Sequence, residues 1–413
     1  MNELKGACII GQSGGPTAVI NSSALGVIQT ALGCDSITRV LGAAHGIEGI
    51  LSERLYDMSL EEPEELENMR YMPGSALGSC RYKLAEAQVD DTDYQRLLEV
   101  FRKYDVRYFF YNGGNDSMDT CHKISEFMQS SGYECRVIGI PKTIDNDLVG
   151  TDHCPGFGSA AKFVATACME VDQDLRSYDK GRVTVIEIMG RHAGWLAGSA
   201  ALAQYSGSGP DLVYLPEVNF NTEEFLADVT RIYRQQGRCM VAVSEGIHDA
   251  DGRFIADAGV GGADVFGHTQ LGGLSESLCN LIHRETGIKV RGMELSLLQR
   301  CSAHIASLTD MQEAFLAGKT AVEVALAGET GKMVAFERVQ GNGEYQCRTK
   351  LINLTDVANA EKLVPCDWIN KAGNGVEQEF IDYVLPLIQG EVEMKKERSL
   401  PRFARLKKIL ANL

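Results

Sequence analysis

Several familiar signatures are missing from this 413-residue chain. No run of about 18 apolar residues occurs, so no transmembrane helix is expected. Met1 to Gly11 carries one lysine and a short apolar stretch, without the long core of a signal peptide. The 12 cysteines contain no CxxC pair, and their closest spacing is 14 residues, Cys121 to Cys135 and Cys154 to Cys168. A zinc ribbon or redox dithiol is not expected from such spacing; most of these thiols read as small buried hydrophobes kept reduced in a cytosol. There is no Walker A loop, no HRD or DFG set and no GxSxG elbow. Internal repeats and low-complexity segments are absent too. Positive charge is short: 40 Lys and Arg against 56 Asp and Glu leave a net charge of −16. That argues against a nucleic-acid backbone or an anionic membrane as partner. A small anionic substrate stays compatible, because a local Arg and Lys cluster overrides the global sign at short range.

What is present is an ordinary globular composition, 44% hydrophobic and 23% charged. At about 150 residues per domain, the length predicts two or three domains or one large α/β unit. Short apolar runs alternate with longer amphipathic ones. Ala7–Ile10, Val106–Tyr111, Arg136–Ile140, Val183–Ile188 and Met240–Ser244 read as strands. Helices are expected from about Thr17 to Leu32, from the Gly113 cluster to about Ser130, and from about Ser159 to Arg176. This order predicts parallel sheet with helices on both faces. Each strand runs into a polar or glycine-rich cluster, and in open parallel sheets that carboxyl edge binds ligands. Further on, Lys332–Glu337 and Tyr345–Leu351 flank Gly341-Asn342-Gly343, the pattern of a β-hairpin. Met394 to Leu413 reads as a basic amphipathic helix, packed on its own subunit or, as the lesser reading, set on a membrane surface or a partner.

The clusters carry consistent chemistry. Gly14-Gly15 lets backbone N–H groups approach a phosphate near a helix start, although a plain tight turn accounts for it equally well. Gly113-Gly114-Asn115-Asp116-Ser117 repeats that logic with a carboxylate; Asp116 suits Mg²⁺ or closes space against a larger ligand, and either polar residue could instead be a helix cap. In Pro141-Lys142-Thr143-Ile144-Asp145-Asn146-Asp147, one carboxylate can act as general base on a hydroxyl while another orients a metal. Lys142 and Thr143 can donate to phosphoryl oxygens. The plain alternative is an Asp/Asn-rich turn. Arg191, in Met189-Gly190-Arg191-His192, suits bidentate phosphate contact. The loop Gly78 to Lys83 adds Arg81 and Lys83, while Arg182, Arg291 and Arg300 are weaker individual signals. Together these residues fit phosphoryl transfer to a hydroxyl, in which catalysis is mostly positioning and charge stabilisation.

The ordered blocks SGG, GSCRYK, GGNDS, PKTIDND, MGRHAGW, SEG and LLQR, over roughly residues 5 to 320, resemble the phosphofructokinases, and within them the pyrophosphate-dependent branch. The resemblance implies Asp145 as the base accepting the C1-hydroxyl proton of fructose 6-phosphate, supported by Thr143 and Asp147. It places Arg191, with Met189 and Gly190, at the sugar phosphate and transition state, Glu245 on sugar hydroxyls and Arg300 on the 6-phosphate. Arg182 and Arg291 match arginines that reach the sugar phosphate from a neighbouring subunit, implying a homodimer or homotetramer with a shared site. Gly14, Arg81 and Lys83 fall in the donor region. ATP-using relatives resemble GGDGS and PGTIDND; Asp116 and Lys142 here imply pyrophosphate, by repelling an α-phosphate and by filling its space. Asn115 and Asp116 stand at the expected Mg²⁺ position, Asn115 where the family more usually has Asp. Leu297 and Cys301 also depart from the usual pattern beside Arg300, so sedoheptulose 7-phosphate stays open as a substrate.

The expected architecture is thus two doubly wound, Rossmann-like α/β domains facing across an active-site cleft, with a small β-hairpin and a C-terminal helical extension. Residues 1–157 with about 299–350 would bind the phosphoryl donor, and residues 158–298 with about 351–413 the sugar phosphate. The expected activity is Mg²⁺-dependent, reversible transfer from pyrophosphate to fructose 6-phosphate in the cytoplasm. The alternatives are an ATP-dependent phosphofructokinase and a non-catalytic, regulatory sugar-phosphate-binding subunit.

Overall fold

The computed structural model describes residues 4–256, 273–339, 345–358 and 360–412. Its larger sheet is built from β1 (Gly6–Gln12), β2 (Ile37–Ala43), β3 (Leu55–Asp57), β4 (Val106–Gly113) and β5 (Arg136–Pro141). The second sheet comprises β6 (Val183–Ile188), β7 (Leu212–Tyr214), β8 (Cys239–Ser244) and β9 (Val290–Glu294). The chain then returns to the first sheet as β10 (Lys332–Val339) and β11 (Gln346–Asn353). Strand order is β11-β10-β5-β4-β1-β2-β3 in one sheet and β7-β8-β6-β9 in the other. β2, β1, β4, β5 and β10 run parallel, with β3 and β11 antiparallel at the two edges; the second sheet is parallel throughout.

Burial on both faces explains why the strands read as continuous apolar runs. In β1, Ala7 and Ile9 enter one core while Cys8 and Ile10 enter the opposite one. β8 divides likewise, Met240 and Ala242 to one side and Cys239, Val241 and Val243 to the other. The five expected strands are present, and the helices expected between them appear as Ile20–Leu32, Asn115–Ser130 and Phe157–Arg176. The hairpin is present as β10 and β11; its Gly341-Asn342-Gly343 turn lies outside the described residues.

The C-terminal helix is not formed. Residues 394–412 contain only the short strands β12 (Lys396–Glu397) and β13 (Leu400–Pro401), and otherwise irregular or bridging segments. Arg398 and Ser399 both take positive φ, at 51° and 69°, as a tight two-residue hairpin requires. Pro401 lacks the N–H a helix interior needs. Beyond it the backbone finds other partners. Glu65 accepts from the Arg402 guanidinium and from the Arg405 N–H (2.7 Å), and Glu61 accepts from the Lys407 and Lys408 N–H groups (2.7 Å each). Tyr56 of β3 bridges Leu410. Expected to side with the second unit, this tail therefore lies along the first sheet.

Candidate active site

The site forms where the carboxyl edges of the two sheets meet. Parallel pairing of β4 with β5 sets Gly113 opposite Pro141, so the turns after these strands lie side by side. The Lys142 N–H donates to the Gly113 carbonyl at 3.1 Å. The turn after β1 approaches the same point. Gly14 has φ +73°, and a Cβ there would come 3.3 Å from Lys142 Nζ. Lys142 Nζ donates to the Gly15 carbonyl at 2.7 Å, and the side chain is only 4% exposed. The loop carrying Arg81 is tied to this turn, since Gly14 N donates to Cys80 O (3.0 Å) and Ser79 Oγ to Gly14 O (2.6 Å). A Cβ on Gly15 would meet the Arg300 guanidinium at 2.7 Å, which places Arg300 against the same turn.

From the second sheet, β6 delivers Met189-Gly190-Arg191 and β8 delivers Glu245. Gly190 has φ +142°, and a Cβ there would press on the Ala193 carbonyl at 2.7 Å. Its N–H donates to Glu245 Oε1 at 3.4 Å, and its carbonyl accepts from the Ser244 hydroxyl. Met189 N donates to Gln299 Oε1 at 3.2 Å. Arg191 Nε is buried with no hydrogen-bond partner, a donor suited to an anionic ligand.

Electrostatics bind these groups into one centre. Burial, reinforced by the Asp147 carboxylate, raises Asp145 to about 7 against the pull of Lys142, Arg191 and the Thr143 hydroxyl. The same Thr143 Oγ1 accepts from the Asp145 N–H at 3.0 Å. Burial likewise raises Asp147, with Glu361 adding to it. Burial and the Asp145 charge lift Glu245 to about 7, opposed by the Gly190 N–H and Arg191. Burial lowers Lys142 to about 8 despite the attraction of Asp145 and Asp147; Arg300 and Arg81 push the same way. Burial is also the main cause that lowers Arg300, followed by repulsion from Arg81. A cleft holding three carboxylates shifted toward neutrality, an easily discharged lysine and crowded arginines suits a highly charged anionic substrate.

Asp116 is exposed in the first turn of helix Asn115–Ser130. Asn115 lies 3.4 Å from Asp147 Oδ2; with its amide turned, its nitrogen reaches the carbonyls of Val357 (3.3 Å) and Ala360 (3.1 Å). Three positions are not brought into the centre. Lys83 is exposed and its charge acts on Glu86. Arg182 precedes β6, so the length of that strand, about 20 Å, separates it from the carboxyl edge. Arg291 sits opposite Thr184 near the same far end, exposed on edge strand β9.

The phosphofructokinase family model matches residues 7–325. The chain belongs to the phosphofructokinase family. It is 45% identical, over 96% of its length and 95% of the relative's, to the pyrophosphate–fructose 6-phosphate 1-phosphotransferase of Halomonas elongata. Identity to the enzyme of that name from Methylococcus capsulatus is 44%, covering 96% of this chain and 94% of the relative. The crystal structure of a pyrophosphate-dependent phosphofructokinase from Marinobacter aquaeolei superposes with a TM-score of 0.89 at 42% identity, covering 99% of this chain and 98% of that one.

Several residues that shape this phosphofructokinase centre were given no role by the sequence. Gln299, inside the LLQR block, is buried and supports Met189 across the join between β6 and the segment before Ala303. Asn146, Lys362 and Tyr383 pack beneath the Asp145 turn. Asn146 sits inside a quoted motif but reads there as an ordinary turn residue. Lys362 and Tyr383 come from 216 and 237 residues further along, beyond the reach of any local pattern.

Proposed function

We propose that this chain transfers a phosphoryl group, reversibly, from pyrophosphate to the C1 hydroxyl of fructose 6-phosphate, giving fructose 1,6-bisphosphate and phosphate. The observation that carries the donor choice is buried Lys142, whose ammonium donates to the Gly15 carbonyl and lies against the Gly14-Gly15 turn, with Asp116 carried on the adjoining turn after β4. A nucleotide's α-phosphate would have to enter against the Asp116 carboxylate and displace the lysine; compact, highly charged pyrophosphate pairs with it instead. The high identity to enzymes named for this reaction supports the same donor.

Asp145 is the general base, taking the hydroxyl proton as the oxygen attacks phosphorus. A base of pKa near the working pH combines a useful ionised fraction with enough proton affinity. Lys142, Thr143 and Arg191 offset charge spreading over the transferred group, with Gly14 and Arg81 around it. Glu245, Met189, Gly190 and Asp147 hold the sugar, and Arg300 its 6-phosphate. Asn115 and Asp116 offer side-chain oxygens, which fits Mg²⁺. When bound, Mg²⁺ neutralises phosphoryl oxygens. Residues 1–157 with about 299–350 serve the donor and residues 158–298 with about 351–413 the sugar, apart from the tail laid on the first sheet.

Arg182 and Arg291 act on a neighbouring copy's sugar phosphate, so the working form is a homodimer or homotetramer. Their distance from the carboxyl edge within one chain supports that reading. No described helix is long and apolar enough to cross a membrane, and all twelve cysteines are free, in keeping with a reduced cytosol.

Phosphorus NMR tests the reaction directly. Fructose 6-phosphate with pyrophosphate should yield fructose 1,6-bisphosphate and phosphate. The reverse mixture should regenerate pyrophosphate; formation of neither product would sink the proposal.

A further inference from the structure

Asp145 and Asp147 flank a residue whose side chain points away from the cleft. Asn146 is fully buried and has φ +55°, a left-handed conformation that asparagine adopts more readily than most residues. Its Oδ1 accepts from the Cys154 N–H at 2.9 Å and its Nδ2 donates to Tyr383 Oη at 2.8 Å. Tyr383 Oη in turn donates to the Asp152 carbonyl at 2.6 Å. The turn between the two carboxylates is therefore fastened from behind by groups distant in sequence.

The central fastener is Lys362. Its Nζ donates to the carbonyls of Asp152 (2.7 Å) and Thr151 (3.3 Å) and to Asn146 Oδ1 (3.4 Å). Its own N–H donates to the Asp147 carbonyl at 2.7 Å, beside the bridge between Leu148 and Glu361. Its carbonyl accepts from Trp195 Nε1 at 2.8 Å, and its ammonium lies 5.2 Å from the Trp195 ring centroid. Trp195 opens the helical turn after the Arg191 segment. One residue thus ties the backbone of the Asp145 turn, from the first sheet, to the segment after β6, from the second.

We propose that Lys362 is a positioning residue for the phosphoryl transfer, holding the left-handed Asn146 turn so that Asp145 and Asp147 keep their placement opposite Arg191. The buried cation does this without reaching the cleft. Its electrostatic pull is on Asp147, from behind. The inference rests on the proposed reaction, because its readout is turnover.

The test compares Lys362→Met, Lys362→Arg and Asn146→Gly with the wild-type chain, with fructose 6-phosphate and pyrophosphate as substrates. Lys362→Met should lose ~10- to 100-fold in kcat, the scale of a misplaced catalytic group. KM for both substrates should stay within about threefold, since the lost interaction is not with substrate. Lys362→Arg, which keeps a buried donor cation, should recover part of kcat. Asn146→Gly tolerates the positive φ but removes the side-chain ties; it should lose kcat in the same sense, and it decides the matter if Lys362→Met fails to fold. A merely structural lysine would lower the melting temperature and leave kcat of the folded protein unchanged. Retention of wild-type kcat by the folded variants would overturn the inference. An inactive wild-type chain would overturn the proposed function, and this inference with it.

Discussion

Half-buried Asp145 and buried Lys142 are three positions apart on one turn, and desolvation moves each toward its neutral form. Asp145 must be ionised to accept a proton, and its raised value of about 7 means that form is lost as pH falls through 7. Lys142 must be charged to pair with pyrophosphate, and its lowered value of about 8 means that charge is lost as pH rises through 8. The expected pH profile of kcat/KM is therefore a narrow bell, its acid limb shared by the interacting Asp145, Asp147 and Glu245 carboxylates. In the profile of kcat the alkaline limb should move to higher pH, because bound pyrophosphate stabilises the ammonium. A flat profile between pH 6 and 9 would contradict this. Replacing the base gives a second check. Asp145→Asn should lower kcat by roughly 10²- to 10⁴-fold. Its fructose 6-phosphate affinity, measured by calorimetry, should be kept or improved by loss of the buried charge.

At the scale of elements, the strands whose ends carry chemistry were legible, because β1, β4, β5, β6 and β8 are buried on both faces and read as unbroken apolar runs. β2, β7 and β9 were not. β2 mixes exposed and buried positions, β7 has three residues, and edge strand β9 is mostly exposed, so none leaves a long apolar run. The tail misled for a different reason. Phe403, Leu406, Ile409, Leu410 and Leu413 fit a helical face, yet Pro401 and a positive-φ turn commit the backbone to an extended path. What holds that path is acidic segment 61–65, which no local pattern links to it. The Arg402 guanidinium lowers Glu65 to about 2. That contribution is present above the ordinary glutamate value near 4.5 and is lost as pH falls toward 2. Glu65→Gln should therefore destabilise the chain by about 1 kcal/mol near neutral pH, an amount suited to one partly screened pair. The difference in melting temperature should shrink as pH falls toward 3; an undiminished difference would refute the charge argument.

For the whole molecule, the sequence motifs marked one composite centre because parallel strands deliver their following turns to one edge. They could not show how the returning C-terminal segment locks that centre, since Lys362 and Tyr383 meet Asn146 only after the chain has traversed the second sheet. The far placement of Arg182 and Arg291 has its own consequence. If they complete a neighbour's site, Asp145→Asn and Arg291→Ala chains, each impaired alone, should regain activity when co-assembled, since a hybrid can pair a complete set of residues at one site. Absence of recovery in verified hybrids would mean that each chain works alone. The donor preference is tested by initial rates with fructose 6-phosphate and Mg²⁺, comparing pyrophosphate with ATP on one purified sample. Rapid turnover with pyrophosphate and little with ATP is expected from the Asp116 and Lys142 pocket; turnover with ATP alone would contradict it.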